Sequence, residues 1–302
     1  MSLLFKWMES LSIDVSITER CLHQVSRKSS CTACVNRCEP AALSIVDNVV
    51  IVDTSKCDSC GSCFSACPVS AINGSMPKRQ SRNGLLVYES HFCPSVKELL
   101  IYREKGIKGF LIPQDWKNDQ WLQVIEEANG LLIELKLEPF IFQLESEVAE
   151  QSISRRELFF SAKNKGKSLA QEMTPASWRV NSDGWSLPAT FPEFQFYQVE
   201  LDTAKCSLCQ ACFRLCSQDV FRISDSELII DHQKCTDCSL CEDICPEDAI
   251  VVKKMIREKS ESHYPVEKST CSRCKNSYYS FAGSMSDLCH GCSKVGEGWL
   301  LP

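Results

Sequence analysis

The sequence predicts an α+β protein in which two related cysteine-rich modules flank a small β-α-β-α-β module, with four further cysteines near the C-terminus. Three observations predict this arrangement: cysteine runs that repeat in pairs, alternating β-rich and helical stretches in the middle, and two Cys-x2-Cys motifs near the end. The 302 residues suffice for two or three domains, and the 44% hydrophobic and 24% charged content is that of a globular protein.

The cysteine usage indicates metal binding. The chain has 21 cysteines, most of them at metal-ligand spacings, which favours a reduced, metal-loaded protein over a disulfide scaffold. No apolar run has the length of a transmembrane helix, and the N-terminal stretch lacks the features of a signal peptide. The twin-arginine-like pair Arg155 and Arg156 lies deep in the chain. We therefore expect a cytoplasmic protein without a transmembrane segment.

The net charge of −6 is unevenly distributed. Residues 12–84 carry eight Lys/Arg against six Asp/Glu, whereas residues 200–255 carry six against eleven. Such an asymmetry affects the docking of partners more than the fold, and it gives no strong case for nucleic-acid binding.

Four cysteine runs form an internal repeat. The three complete runs, each Cys-x2-Cys-x2-Cys-x3-Cys, are Cys57, Cys60, Cys63 and Cys67; Cys206, Cys209, Cys212 and Cys216; and Cys235, Cys238, Cys241 and Cys245. The earliest run has only Cys31, Cys34 and Cys38, with Lys28 where a first cysteine belongs. In both pairs the first cysteine of the second run lies 19 positions after the last cysteine of the first run, and the intervening sequence predicts a β-hairpin.

This pattern resembles bacterial-type dicluster ferredoxins, in two copies that cover residues 12–75 and 196–255. In that family three cysteines of one run hold a 4Fe–4S cluster, and the fourth ligates the other cluster of the pair. The alternative, zinc, uses two separate Cys-x2-Cys pairs rather than four-cysteine runs. The resemblance implies these ligand sets: cluster 1, Cys21, Cys31, Cys34 and Cys67; cluster 2, Cys57, Cys60, Cys63 and Cys38; cluster 3, Cys206, Cys209, Cys212 and Cys245; cluster 4, Cys235, Cys238, Cys241 and Cys216.

Cys21 is the candidate for the missing ligand of cluster 1. In the complete runs a β-rich stretch and a lysine precede the first cysteine. Alternating apolar residues from Ile13 to Ile17, followed by Arg20, give Cys21 a similar approach, whereas Lys28 has none. We therefore expect Cys21 to ligate across a seven-residue insertion. The alternatives are a 3Fe–4S cluster or an open iron site.

The middle of the chain predicts a small three-layer α/β unit with a parallel sheet, in the order β-α-β-α-β over residues 85–145. It lacks a glycine-rich phosphate loop, so we predict no nucleotide site and no site for an organic substrate. Cys93 is the cysteine left over, and we expect a small buried residue rather than a reactive thiol.

Near the C-terminus the spacing Cys-x2-Cys-x14-Cys-x2-Cys is that of a zinc ribbon. Its ligands would be Cys271, Cys274, Cys289 and Cys292. Each Cys-x2-Cys pair would form a metal-binding knuckle. In rubredoxin-type iron sites glycine usually follows each knuckle, whereas Lys275 and Ser293 follow them in this sequence, so zinc is favoured over iron. His290 is expected to be exposed rather than to ligate.

The ribbon also offers residues for nucleic-acid contact: Lys268, Arg273, Lys275, Tyr278, Tyr279 and Phe281. Yet residues 256–302 carry six basic residues against five acidic ones, a poor balance for phosphate binding. A structural or protein-docking ribbon is therefore favoured.

The expected fold is two bacterial ferredoxin-like dicluster modules that flank the α/β module, plus a C-terminal zinc ribbon. The expected domains are a dicluster domain at 1–75, a basic linker at 76–84, the α/β module at 85–145, a linker with a short helix at 146–195, a second dicluster domain at 196–255 and the zinc-ribbon tail at 256–302.

We expect a non-enzymatic electron-transfer protein with four 4Fe–4S clusters and one Zn²⁺, working with redox protein partners such as a cytoplasmic oxidoreductase catalytic subunit. Two alternatives remain open. The segment from Ser154, read as Ser-Arg-Arg, and the module after it are similar to NapF-type ferredoxins, which suggests an assembly factor for a molybdenum enzyme. The other alternative is a redox-sensing protein that binds nucleic acid through the ribbon.

Overall fold

The computed structural model describes residues 15–74, 76–77, 79–90, 92–145, 185–283 and 286–294. The chain divides into two compact units. The first unit comprises Met1–Gln24 and Thr32–Thr190, and the second comprises Val25–Cys31 and Phe191–Pro302. The short helix expected after Ser154 and the pair Arg155 and Arg156 lie outside the described residues.

The first cysteine module is built from short elements around one hairpin. They are β1 (Ser16–Ile17), α1 (Leu22–Val25), α2 (Ala33–Asn36), β2 (Leu43–Val46), β3 (Val49–Val52), α3 (Ser62–Ala66) and β4 (Ile72–Asn73). β2 and β3 pair across Asp47 and Asn48, which both have positive φ, as a two-residue hairpin turn requires. β1 pairs antiparallel with β4, so the first and last strands of the module lie side by side.

The α/β module has a four-stranded sheet. Its elements are β5 (Ser81–Arg82), β6 (Leu85–Val87), α4 (Val96–Glu104), β7 (Gly109–Ile112), α5 (Asp119–Glu134) and β8 (Ile141–Leu144), followed by α6 (Leu187–Thr190). β5 is antiparallel to β6, and β6, β7 and β8 are parallel. Ser95 and Asn118 cap the two long helices, each accepting a backbone N–H from the first turn.

The predicted three-layer arrangement of this module is wrong. The strands follow one another in chain order across the sheet, and α4 contacts α5 directly. Parallel crossovers are right-handed in nearly all proteins, so two crossovers in the same direction place both helices on one face of the sheet, in agreement with their contact. The core between the helices and the sheet includes the buried residues Leu99, Phe110, Trp121 and Leu132.

The second cysteine module repeats the plan of the first. Its elements are β9 (Phe194–Leu201), α7 (Ala211–Leu215), β10 (Phe221–Ile223), β11 (Glu227–Asp231), a 3₁₀ turn (His232–Lys234), α8 (Leu240–Asp243) and β12 (Ile250–Glu258). β10 and β11 form the hairpin, and β9 pairs antiparallel with β12.

The C-terminal tail shares a sheet with the second module. It contains β13 (Glu261–Thr270), β14 (Ser277–Phe281) and α9 (His290–Lys294). β13 pairs with β11 on one side and with β14 on the other, which gives a sheet in the order β10-β11-β13-β14. Leu228, Ile230 and Val266 are buried together in its core. The boundary expected at residue 255 falls inside β12.

Candidate metal centres

A pocket in the second module collects one predicted ligand set. Cys216 and three cysteines of the last run line it together with apolar residues such as Val199, and those three are Cys235, Cys238 and Cys241. Burial raises the pKa of Cys235 to about 12. The fourth cysteine of one run thus lies with the first three of its partner run.

The other set of this module is gathered around Cys212. Burial raises the pKa of Cys212 to about 12, and the neighbouring thiol groups of Cys206, Cys209 and Cys245 add to the rise. Cys206 in turn lies near Cys209 and Cys245. The second module therefore brings together both crossed sets that the resemblance implies.

A pocket in the first module collects the set predicted for cluster 2. Cys38 lines it with Cys57, Cys60 and Cys63. Burial raises the pKa of Cys63 to about 12. A thiol stays protonated in such a site unless a metal replaces the proton, so these pockets suit thiolate-bound iron rather than free thiolates.

The ligand loops of the three complete runs have the same unusual backbone. The third and fifth residues of each run have positive φ, namely Ser59 and Gly61, Leu208 and Gln210, and Asp237 and Ser239. Only one of these six is a glycine, and side-chain-bearing residues rarely adopt this region. Alternating left-handed and right-handed residues turn backbone N–H groups towards one point, which suits a negatively charged group.

A second recurring feature lies at the last cysteine of each run. The residue three positions later has positive φ in all four runs, at Ala41, Ser70, Asp219 and Asp248. In three runs the sulfur accepts a backbone N–H from four residues on, at 3.2 Å for Cys38 and Cys67 and 3.3 Å for Cys245. The earliest run keeps this turn, and its helix begins at Ala33, two residues after Cys31, as the helices of the complete runs begin two residues after their second cysteine. It differs at Thr32, whose φ is −122° where the complete runs have a positive φ.

The set predicted for cluster 1 is divided between the two units. Cys21, Cys34 and Cys67 belong to the first unit and Cys31 to the second, so ligation by these four stays a prediction. Cys21 and Cys67 are buried.

The environment of Cys21 nevertheless matches that of Cys206. The backbone N–H of Thr18 donates to Ala71, just as that of Asp202 donates to Ala249 in the second module. Cys21 then donates its own N–H to Thr18, as Cys206 does to Asp202. Cys21 thus follows the first strand of its module as the first ligand of the third run does.

The four tail cysteines form a compact group. The sulfurs of Cys271, Cys274, Cys289 and Cys292 all lie within 4.8 Å of one another. Backbone N–H groups of Cys274 and Cys289 lower the pKa of Cys271, which favours its thiolate form. His290 begins α9, is partly buried and is not part of the group.

Two of the cations considered for nucleic-acid contact are already engaged. Lys268 pairs with Asp225 at 2.9 Å, and Arg273 donates to the carbonyl oxygen of Cys292 at 3.2 Å. Cys93 is buried, as predicted.

Two cations beside the first module were not predicted from the sequence. Arg79 donates to the carbonyl oxygen of Cys60, and Lys97 to that of Cys67. Local sequence patterns hold no signal for these contacts, because the partners are 19 and 30 residues apart.

Two stretches of the chain match iron–sulfur families. Residues 50–73 match the 4Fe-4S binding domain, and residues 205–250 match the 4Fe-4S dicluster domain. The chain therefore contains two ferredoxin-type iron–sulfur domains, which implies iron–sulfur clusters and a role in electron transfer. The matched ranges do not include the early run at Cys31, Cys34 and Cys38. No curated protein matches the chain.

Proposed function

We propose that the chain relays single electrons through four 4Fe–4S clusters between redox protein partners, as an electron-transfer subunit of an oxidoreductase. The observation that carries the proposal is the gathering of crossed cysteine sets in both modules. Each of these sets offers four thiolate ligands, which is the chemistry that iron–sulfur clusters take.

The chain's own residues would hold and insulate the clusters. A bound 4Fe–4S cluster supplies a one-electron couple whose potential depends on burial, nearby charge and hydrogen bonds to sulfur. Backbone N–H groups of Ala42, Ala71 and Ala249 donate to ligand sulfurs, which stabilises negative charge there. Apolar residues such as Val199 and Leu240 line the pocket of the second module and keep water away.

Cys209 indicates where electrons would be exchanged with a partner. The structure describes all 21 cysteines. Cys209 is exposed, whereas the other cysteines are buried or partly buried. Electron transfer falls off with distance, so the set with Cys206, Cys209, Cys212 and Cys245 is best placed for exchange. The acidic balance of residues 200–255 favours a partner with a basic docking surface.

A dithionite titration of the purified full chain, followed by EPR spectroscopy, tests the relay. We expect reducible clusters in both modules and a total of four. Fewer than three reducible clusters would overturn the four-cluster proposal.

We propose that Cys21 completes cluster 1, because its backbone hydrogen bonds match those of Cys206. Cys21→Ser should convert this cluster alone into a 3Fe–4S species with its own EPR signal. If all clusters survive unchanged in that variant, Cys21 is not a ligand.

We propose a structural Zn²⁺ in the tail, held by Cys271, Cys274, Cys289 and Cys292, because these four thiols form a closed set without an open position. The pairing of Lys268 with Asp225 reduces the case for nucleic-acid binding. The segment that suggested an assembly factor lies outside the described residues, so that alternative gains no support here. No helix in the described ranges is long and apolar enough to cross a membrane.

A further inference from the structure

Lys97 places a positive charge beside a ligand of the first module. It lies in the first turn of α4, the first long helix of the α/β module, and its ammonium donates to the carbonyl oxygen of Cys67 at 3.0 Å. The residue is partly buried, and burial lowers the pKa of its ammonium to about 8. Among the described residues no carboxylate forms an ion pair with it.

Arg79 also contacts the run from Cys57 to Cys67, but unlike Lys97 it is paired with a carboxylate. Its guanidinium donates to the carbonyl oxygen of Cys60 at 3.2 Å and lies over the ring of Phe92. However, Glu98 pairs with it at 3.0 Å, and both side chains are almost fully buried. The charge of Arg79 is therefore compensated locally, whereas that of Lys97 is not.

We propose that Lys97 is a positioning residue that raises the reduction potential of the cluster ligated by Cys67. The inference rests on the proposed function, since it requires a cluster at Cys67. In the step concerned, one electron passes from a one-electron donor to the cluster, which gains one negative charge, and no bond or proton moves.

The physical basis is the attraction between a fixed positive charge and the added electron. In a partly buried setting the effective dielectric constant is well below that of water, so a charge a few ångströms from a ligand favours the reduced state. The sequence suggests no role for the α/β module. In this proposal the module supplies a positive charge that makes the reduction potential of this cluster different from those of the other clusters.

Lys97→Met tests the proposal in the full chain, because methionine keeps much of the apolar stem and removes the charge. Potentiometric EPR titrations at neutral pH should show one cluster whose reduced-to-oxidised ratio at a given potential is about tenfold lower than in the wild type. For a one-electron couple this corresponds to a reduction potential about 59 mV lower. Lys97→Arg retains the charge and should restore the wild-type value.

Lys105→Met is the matched control. Lys105 follows the end of the same helix and lies over the ring of Trp185, and burial also lowers its ammonium pKa. Eight residues of helix place it about 12 Å further along the axis than Lys97. Its loss should leave every cluster potential unchanged.

The outcomes separate the two proposals. A wild-type chain without reducible clusters would overturn both the relay and the role of Lys97. A wild-type chain with reducible clusters whose potentials are the same in Lys97→Met would overturn the role of Lys97 alone. If Lys97→Met and Lys97→Gln lose a cluster and Lys97→Arg does not, the charge of Lys97 serves to retain the cluster. This result would overturn the proposal that Lys97 tunes the reduction potential.

Discussion

Arg79 and Glu98 form an ion pair of 3.0 Å whose side chains are 4% and 1% exposed. The pair joins the residues after the first cysteine module to helix α4 of the α/β module. Through Arg79 it also reaches the carbonyl oxygen of Cys60 and the hydroxyl of Ser62, both in a ligand loop. The loop and the α/β core are thus linked by one buried charge pair.

Breaking this pair should destabilise the first unit. Arg79→Met leaves the Glu98 carboxylate buried without its ion-pair partner, which costs about 3–5 kcal/mol of unfolding free energy. Anaerobic denaturant unfolding followed by circular dichroism measures the loss.

The double variant Arg79→Met/Glu98→Gln should recover most of that loss, because no uncompensated charge remains. Lys253→Ala is the control, since it breaks an exposed pair with Glu200 and should cost less than about 1 kcal/mol. If Arg79→Met costs no more than this control, the buried pair contributes little.

Gly61→Ala should impair the cluster 2 loop. Gly61 has a φ of +75°, and an added Cβ would meet the backbone of Met76 and Pro77, with the Met76 oxygen at 2.9 Å. Neither the backbone contact nor the left-handed conformation can be relieved by rotating a side chain. We expect lower iron content per chain and a lower midpoint of thermal unfolding.

Gly106→Ala is the matched control for this substitution. Gly106 also has positive φ, but no described atom lies within 4 Å of an added Cβ. The control should therefore cost only the backbone strain, about 1–2 kcal/mol, with normal iron content. Equal iron content in the two variants would show that the close packing at Gly61 does not matter for the cluster.

Crossed ligation predicts which cysteine variants share a phenotype. Cys216→Ser should alter the same cluster as Cys241→Ser, although Cys216 belongs to the run of Cys212. Likewise, Cys245→Ser should alter the same cluster as Cys212→Ser. EPR spectra of the four reduced variants give the comparison. Spectra that group by run, with Cys216→Ser like Cys212→Ser, would refute the crossed sets.

Removal of the tail metal should loosen only the outer part of the shared sheet. Strand β14 lies between two knuckle cysteines of the metal group, whereas β13 is also paired with β11 and contributes Val266 to the core. After a zinc chelator is added, amide exchange should quicken in Ser277–Phe281 and stay slow at Val266. The iron absorbance should not change. Equal loss of protection in both strands would mean that the metal holds the whole sheet.

Much of the local structure was predictable because it depends on short-range sequence patterns. An apolar stretch before Asp47 and Asn48 and a β-rich stretch after them predict the first hairpin, which the structure contains. The two long helices of the α/β module lie within the segments where the sequence predicts them, and Ser95 and Asn118 supply their caps.

The features that were missed depend on tertiary contacts. Nothing in the identity of Leu208 or Gln210 indicates positive φ, which the surrounding ligand loop imposes. The pairing of Leu228 with Tyr264 joins the tail to the second module, and the periodicity of either strand alone does not specify its partner. The wrong layer count has the same origin, since the face covered by α4 and α5 depends on strand order.

Mössbauer spectroscopy of the full chain loaded with iron-57 and purified anaerobically tests the central claim most directly. Four 4Fe–4S clusters require roughly sixteen iron atoms per chain, and the spectrum should contain cubane iron alone. An iron content of roughly eight or fewer atoms per chain, or a spectrum dominated by 2Fe–2S or mononuclear iron, would contradict the four-cluster relay.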